Sequence, residues 1–316
     1  MSRLRIVFMG TAGLACASLR ALAGQAGFEL LSVVTQPDRP AGRELKLQPS
    51  PVKTTALDLG LPVMQPARAR DPEFVQQLAA LSPDLIVVVA YGQILPSVLL
   101  DLPAHGAVNV HTSLLPKYRG AAPIQFAILN DEPETGVTIM KMDAGLDTGP
   151  ILTRRTTPIL PEDDAITLQD RLAAMGAELL LETIPGYVSG TIMPQAQPAE
   201  GASYARKITR DDARLEWSQP ARALWNRVRA LVPWPGAGGT LATAAGRRPL
   251  KIWKAEVVSD ISAQPGLVVR ANAHEVVVAC GKDALRLLEL QREGGRRLAI
   301  KPFLAGTAIR PGDRFV

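Results

Sequence analysis

Asn109 and His111 stand two residues apart in Ala107-Val-Asn-Val-His111, and Asp143 and Asp147 close a second run, Gly136-Val-Thr-Ile-Met-Lys-Met-Asp-Ala-Gly-Leu-Asp-Thr-Gly149. In the first run Val108 and Val110 alternate with the two polar residues, so a strand there presents Asn109 and His111 on one face. Pro116 and Gly120 stop that strand and open a loop. In the second run Val137, Thr138 and Ile139 read as a strand that ends in a Gly-punctuated loop holding both aspartates. An Asn, a His and an Asp at the same end of neighbouring strands can carry out acyl chemistry. The Asn offers a neutral N–H to a developing oxyanion, the His a proton or positive charge, and the Asp orients the His. By spacing alone, satisfied core polar groups account for these residues equally well.

The elements around them read as an open α/β sheet. Residues 5–11 make a buried strand turning at Gly10, followed by an Ala/Leu-rich helix over 15–22. A dinucleotide fingerprint counted from Gly10 puts Gly10, Ala12 and Ala15 at its glycine positions. The second, where backbone must approach a pyrophosphate, is not Gly, which disfavours a nicotinamide cofactor. Residues 29–35 form a second strand. The stretch 36–50 is too rich in Pro and Gly for a helix and reads as a long loop with Arg39, Arg43 and Lys46 on it. A helix opens at Pro51, a short strand lies at 61–64 and another helix at 71–81. Asp84-Leu-Ile-Val-Val-Val-Ala90 has the continuous apolar pattern of a central parallel strand buried on both faces. Tyr91-Gly92 ends it, where open α/β sheets place ligands. A helix near 122–130, an edge strand at 153–157 and a long amphipathic helix over 167–184 complete this part.

Residues 190–203 lack large apolar side chains and read as a linker. A helix over 220–231 follows, and Pro233-Trp-Pro-Gly236 ends it. Short β-rich runs at 249–258, 265–270, 274–280 and 284–291 recur at the spacing of a small barrel, with a hairpin turn at Gly281-Lys-Asp283. With 316 residues, 47% hydrophobic and 21% charged, the chain suffices for two domains, each with its own core. Two cysteines far apart, Cys16 and Cys280, argue for a reducing compartment and against a disulfide framework or structural zinc. The start has neither an extended apolar run nor a cleavage site, and no apolar stretch of ~18 residues exists to span a membrane, so a cytoplasmic protein is expected; a monomer is expected as well.

Charge is unevenly placed. Residues 1–203 hold 15 Lys and Arg against 20 Asp and Glu, whereas residues 204–316 hold 20 against 10. A C-terminal part at +10 beside a part at −5 points to a polyanionic partner bound through the former. A solvated basic surface is the alternative, and the polyanion reading is favoured because the excess is confined to one third of the chain.

The runs Asn109-Val-His-Thr-Ser-Leu-Leu-Pro116, Arg119-Gly-Ala-Ala-Pro-Ile-Gln125 and Asp143-Ala-Gly-Leu-Asp-Thr-Gly149 resemble those of the folate-dependent formyltransferases. The resemblance covers nearly the whole chain. It is dense in residues 1–150 and rests on composition and rhythm beyond about residue 235. It implies a Rossmann-like, mostly parallel catalytic domain over 1–190, a linker over 191–206 and an OB-like, basic, tRNA-binding barrel over 207–316. The implied reaction moves the formyl group of 10-formyltetrahydrofolate to the α-amine of methionine on initiator methionyl-tRNA, giving the N-formyl product used in translation initiation. Asn109 and His111 would stabilise the oxyanion, and Asp147 would orient His111 and take the amine proton through water. Ser113, Leu114, Leu115 and Pro116 would line the folate site, with the loops after Ala90 and around 140–146 in support. Arg43, with Lys46, would enter the tRNA acceptor stem. No metal is implied. Glu44 and Thr112 depart from the family pattern. The nearest rivals use the same chemistry on nucleotide-linked amino sugars or on glycinamide ribonucleotide. A non-catalytic tRNA-binding protein would need no Asn109, His111 and Asp147 together.

Overall fold

The five apolar side chains of Leu85-Ile-Val-Val-Val89 are all buried, because this strand lies in the middle of a sheet covered on both faces. The computed structural model describes residues 3–41 and 46–316. The N-terminal elements are β1 (Leu4–Gly10), α1 (Ala15–Ala23), β2 (Phe28–Val34), β3 (Arg39–Ala41), β4 (Lys46–Gln48), α2 (Pro51–Asp58), β5 (Val63–Met64), α3 (Pro72–Ala80), β6 (Leu85–Val89) and α4 (Ser97–Leu100). They continue as β7 (Ala107–His111), β8 (Arg119–Gly120), α5 (Pro123–Leu129), β9 (Glu134–Lys141), β10 (Ile151–Pro158), α6 (Ala165–Val188) and β11 (Tyr204–Ala205).

Seven strands form one sheet in the order β10-β9-β7-β6-β1-β2-β5. β7, β6, β1, β2 and β5 run parallel; β9 alone opposes them, and the edge strand β10, antiparallel to β9, runs in their direction. The chain winds outward in one direction from β1 to β2 and β5, and in the other from β6 to β7. That reversal opens a crevice at the carboxyl ends of the central strands. At the end of β1 the Thr11 and Ala12 amides both point to the Ala90 carbonyl oxygen, 3.2 and 3.4 Å away. They are occupied in holding β1 to β6. On the other flank, a Cβ on Gly176 of α6 would lie 2.8 Å from Val110 Cγ1, so glycine lets this helix pack closely over the strand that carries Asn109 and His111.

The long loop expected over 36–50 contains a two-stranded ribbon of β3 and β4. Arg43 and Glu44 lie outside the described residues; Lys46 pairs through its backbone with Ala41, and its side chain is likewise outside them. Ser50 caps α2 by accepting from the Lys53 amide at 3.0 Å.

The chain divides into two compact units. One comprises 1–123, 134–158 and 169–205, and the other 124–133, 159–168 and 206–316. Two earlier segments thus group with the C-terminal part. Arginines of α7 (Ala221–Ala230) explain why. Arg222 makes a forked ion pair with Asp131 at 2.7 Å, and the buried Arg229 donates to the carbonyls of Leu160 and Asp163 at 3.0 and 3.1 Å. Trp225 sits between these two guanidiniums, 4.6 and 4.1 Å from its ring.

The rest of the second unit is β12 (Ala237–Thr243), β13 (Gly246–Val258), β14 (Val268–Ala271), β15 (Val276–Ala279), β16 (Ala284–Arg292), β17 (Leu298–Ala299), α8 (Ile300–Ala305) and β18 (Arg314–Phe315). The antiparallel order is β14-β15-β16-β13-β12-β18, with β17 beside β16. The two ends meet where Val268 N–H donates to the Asp313 carbonyl and Gly312 N–H to the Val268 carbonyl, nearly closing a barrel. The expected turn at 281–283 joins β15 to β16, with Asp283 in the left-handed region (φ 63°). Strand β12 was not legible: Ala237-Gly-Gly-Thr-Leu-Ala-Thr243 has weak strand propensity. Small residues are required there because a Cβ on Gly238 would overlap the Leu250 carbonyl. Burial pushes the Cys280 thiol up to about 12, so it is no nucleophile at neutral pH.

Candidate active site

β7 delivers Asn109 and His111 to the carboxyl edge of the sheet, both largely buried, and the loop after β9 brings Asp147 to them. The Asn109 Nδ2 group donates to Asp147 Oδ1 at 3.3 Å. His111 Nδ1 lies 3.7 Å from Asp147 Oδ2. The other ring nitrogen, Nε2, is 2.9 Å from the Tyr118 carbonyl oxygen. A carbonyl only accepts, so Nε2 carries the hydrogen. In the neutral ring the lone pair is then on Nδ1, where a proton can be taken up beside the carboxylate. Asp147 Oδ2 also accepts from the Gly120 amide at 2.8 Å. The three residues singled out from the sequence are thus brought together. Asp143 is not part of the set: it is exposed and shapes its own loop by accepting from Gly145 N–H and Thr148 Oγ1–H.

Two residues that present these groups have left-handed backbones, Tyr118 with φ 60° and Asp147 with φ 53°. Side chains other than glycine adopt this region at a cost of roughly 1 kcal/mol or more, and it persists only where surroundings hold it. The loop after β9 closes tightly at Gly149, where a Cβ would overlap the Lys141 carbonyl oxygen. Gly149→Ala is therefore expected to destabilise the protein by about 3 kcal/mol, visible as a thermal midpoint lowered by several degrees. An unchanged midpoint would mean that the loop has room to shift.

A cavity of about 510 Å³ opens beside the three residues. Tyr91, Gly92, Ile94 and Leu95 from the loop after β6 form one wall, and Met140, Met142 and Leu146 another. Ile94 and Leu146 are 85% and 56% exposed, which leaves two large apolar side chains at the mouth with nothing of this unit covering them. Burial pushes the Tyr91 hydroxyl up to about 12, so it stays neutral. The size and apolar lining suit a flat heteroaromatic ligand. Among the described residues no cluster of three or more His, Cys, Asp or Glu could hold a metal ion, and no helix is long and apolar enough to cross a membrane.

Ser113, Leu114, Leu115 and Pro116 are not among the residues that line this cavity. Ser113 and Leu115 are fully buried. The Thr138 hydroxyl donates to the Ser113 carbonyl at 2.7 Å and accepts from the Leu115 amide at 3.1 Å. Leu115 packs on Met140 and Ile151. The run turns the chain away from the cleft and braces it from behind, while Thr112 is the last residue of that stretch to face the cavity. Sequence reasoning also missed Gln197, which reaches the Asp147 loop from the expected linker. It donates to the carbonyls of Asp147 and Gly149, both at 2.8 Å. Nothing in the pattern around Gln197 marks it.

An amide donor, an imidazole and a carboxylate at one end of an apolar cleft, on the carboxyl edge of a Rossmann-like sheet, define an enzyme fold equipped for acyl transfer. A family model described as formyl transferase matches residues 4–184, and one described as formyl transferase, C-terminal domain, matches residues 207–308. The chain belongs to the formyl transferase family. Methionyl-tRNA formyltransferase of Trichlorobacter lovleyi is 46% identical over 99% of this chain and 97% of its own. The enzyme of the same name from Aromatoleum aromaticum is 49% identical, again over 99% and 97%. Among solved structures, the N-formyltransferase from Helicobacter canadensis in complex with folinic acid and dTDP-3-aminofucose superposes with a TM-score of 0.66. It is 18% identical over 92% of this chain and 99% of that one, a likeness of fold.

Proposed function

We propose that the protein transfers the formyl group of 10-formyltetrahydrofolate to the α-amine of methionine carried by initiator tRNA. The reading is carried by Asn109, His111 and Asp147 around one end of the apolar cavity, and full-length relatives bearing the name of that activity support it. The pterin ring sits between the walls built by Tyr91, Ile94 and Leu95 and by Met140, Met142 and Leu146. The methionine amine attacks the formyl carbon, and the carbonyl oxygen becomes an oxyanion. The Asn109 amide donates to it, and His111, once protonated on Nδ1, adds a positive charge that stabilises it further. One proton leaves the attacking nitrogen, through water to Asp147 and His111, and the N10 nitrogen gains one as its bond to the formyl carbon breaks. No covalent enzyme intermediate is needed.

The first 190 residues hold the chemistry, and residues 207–316 hold the tRNA through their excess of positive charge. Arg43 and Lys46 reach the acceptor stem. The protein works as a monomer in the cytoplasm. Arg247, Arg248 and Lys254 of β13 are exposed. Replacing all three by alanine is expected to weaken methionyl-tRNA binding. The slope of log K against log salt should fall by about one for each phosphate that these side chains neutralise in the parent, with folate affinity unchanged. Equal falls in tRNA and folate affinity would contradict the division of labour.

A further inference from the structure

Residues 195–205 do more than connect. Ile151 and Gln195 exchange backbone hydrogen bonds at 2.7 and 2.8 Å, which ties the start of the segment to β10. At the other end β11 pairs in parallel with β8. There the Arg119 amide donates to the Ser203 carbonyl at 2.8 Å, and the Ala121 amide donates to the Ala205 carbonyl at 2.9 Å. The Ser203 hydroxyl accepts from the Tyr118 amide at 2.9 Å. Tyr118 is the residue whose carbonyl receives the His111 ring N–H.

Between these anchors the Gln197 side-chain amide has a partner for both N–H groups and for its oxygen. Its two N–H groups go to the carbonyls of Asp147 and Gly149. Its oxygen accepts from Arg119 Nε and Nη2 at 3.1 and 2.7 Å. The orientation of the amide follows, because the reversed one would set oxygen against two carbonyls and NH₂ against a guanidinium. Both left-handed residues beside His111 are held from this one segment, Tyr118 through Ser203 and Asp147 through Gln197.

We propose that residues 195–205 are a clasp that sets the His111–Asp147 geometry and that Gln197 is a positioning residue for formyl transfer. The proposal rests on the reaction assigned above. Gln197 touches no reacting atom; it holds the backbone of Asp147 in the conformation that aims the carboxylate at Asn109, Gly120 and His111. Its influence on rate therefore passes through Asp147.

The test compares Gln197→Met and Gln197→Glu, both close to glutamine in length, in the full-length enzyme with methionyl-tRNA and 10-formyltetrahydrofolate. Methionine keeps the volume without the hydrogen bonds. Glutamate keeps the interaction with Arg119 but turns carboxylate oxygen toward two carbonyls. With both variants folded by circular dichroism, kcat is expected to fall at least about tenfold, with KM for either substrate changed less than about threefold. In the Asp147→Asn background, Gln197→Met is expected to cost less than about a further twofold. A role in stability alone would lower the melting midpoint and leave kcat within twofold of the parent, or cost the same factor in both backgrounds; either result overturns the clasp. Parent enzyme inactive on methionyl-tRNA would instead overturn the assigned reaction, which separates the two claims.

Discussion

Replacing Asn109 by alanine is expected to lower kcat by about 10²–10³, with the protein still folded and KM for the folate little changed. The magnitude is that of losing one oxyanion donor from a site where water cannot replace it with the same geometry. Asn109 is 9% exposed, lines the cavity and spends one N–H on Asp147, which leaves the other for substrate. The walls proposed for the pterin are built by Tyr91, Ile94, Leu95, Met140, Met142 and Leu146, so folate binding is expected to be spared. Asn109→Asp sharpens the case. It conserves shape, removes both donors and places a second carboxylate beside Asp147, so it is expected to be at least as slow as alanine. Steady-state kinetics at saturating substrate, with circular dichroism as the control for folding, check both variants. A kcat within fivefold of the parent for Asn109→Ala would remove Asn109 from the mechanism.

The second large effect is expected at Asp147. Asparagine is among the side chains that best tolerate a left-handed backbone, so Asp147→Asn leaves φ 53° accessible. Its oxygen can still accept the Gly120 amide. Its NH₂ then faces the Asn109 NH₂ group, and the negative charge 3.7 Å from His111 Nδ1 is gone. The loss in kcat is expected to be roughly 10²–10⁴, the range for removing a positioned acid–base group. Because the loop is retained, the loss reports charge and proton transfer rather than local unfolding. A thermal midpoint close to that of the parent, measured alongside, makes that distinction. An unaltered kcat would leave His111 working without its carboxylate.

How much of this was legible in the chain depended on how local the determinants are. The alternation in Ala107-Val-Asn-Val-His111 placed two polar groups on one strand face, because the period of a strand is fixed by the backbone. The continuous apolar run of β6 marked the central strand for the same reason. The choice between Asp143 and Asp147 is not local. Four residues apart in one loop, they differ only in which of them the folded loop carries to His111. Ser113 and Leu115 show the same dependence on distant contacts. They follow the catalytic strand closely in sequence, yet Thr138 and the Met140–Ile151 core draw them behind the sheet edge. Gln197 lies 50 residues beyond Asp147, in a segment with no periodicity, and is recognisable only from the carbonyls it meets. The grouping of 124–133 and 159–168 with the C-terminal unit depends on single long-range interactions of Arg222 and Arg229.

The most direct test of the account is a formyl-transfer assay with 10-formyltetrahydrofolate that offers methionyl initiator tRNA and a nucleotide-linked amino sugar side by side. Transfer to the tRNA-borne amine alone is expected, with the rate falling as salt screens the basic C-terminal part. Transfer to the sugar alone would contradict it. Such a result would leave Asn109, His111 and Asp147 in their roles and deprive the +10 surface of its assigned partner.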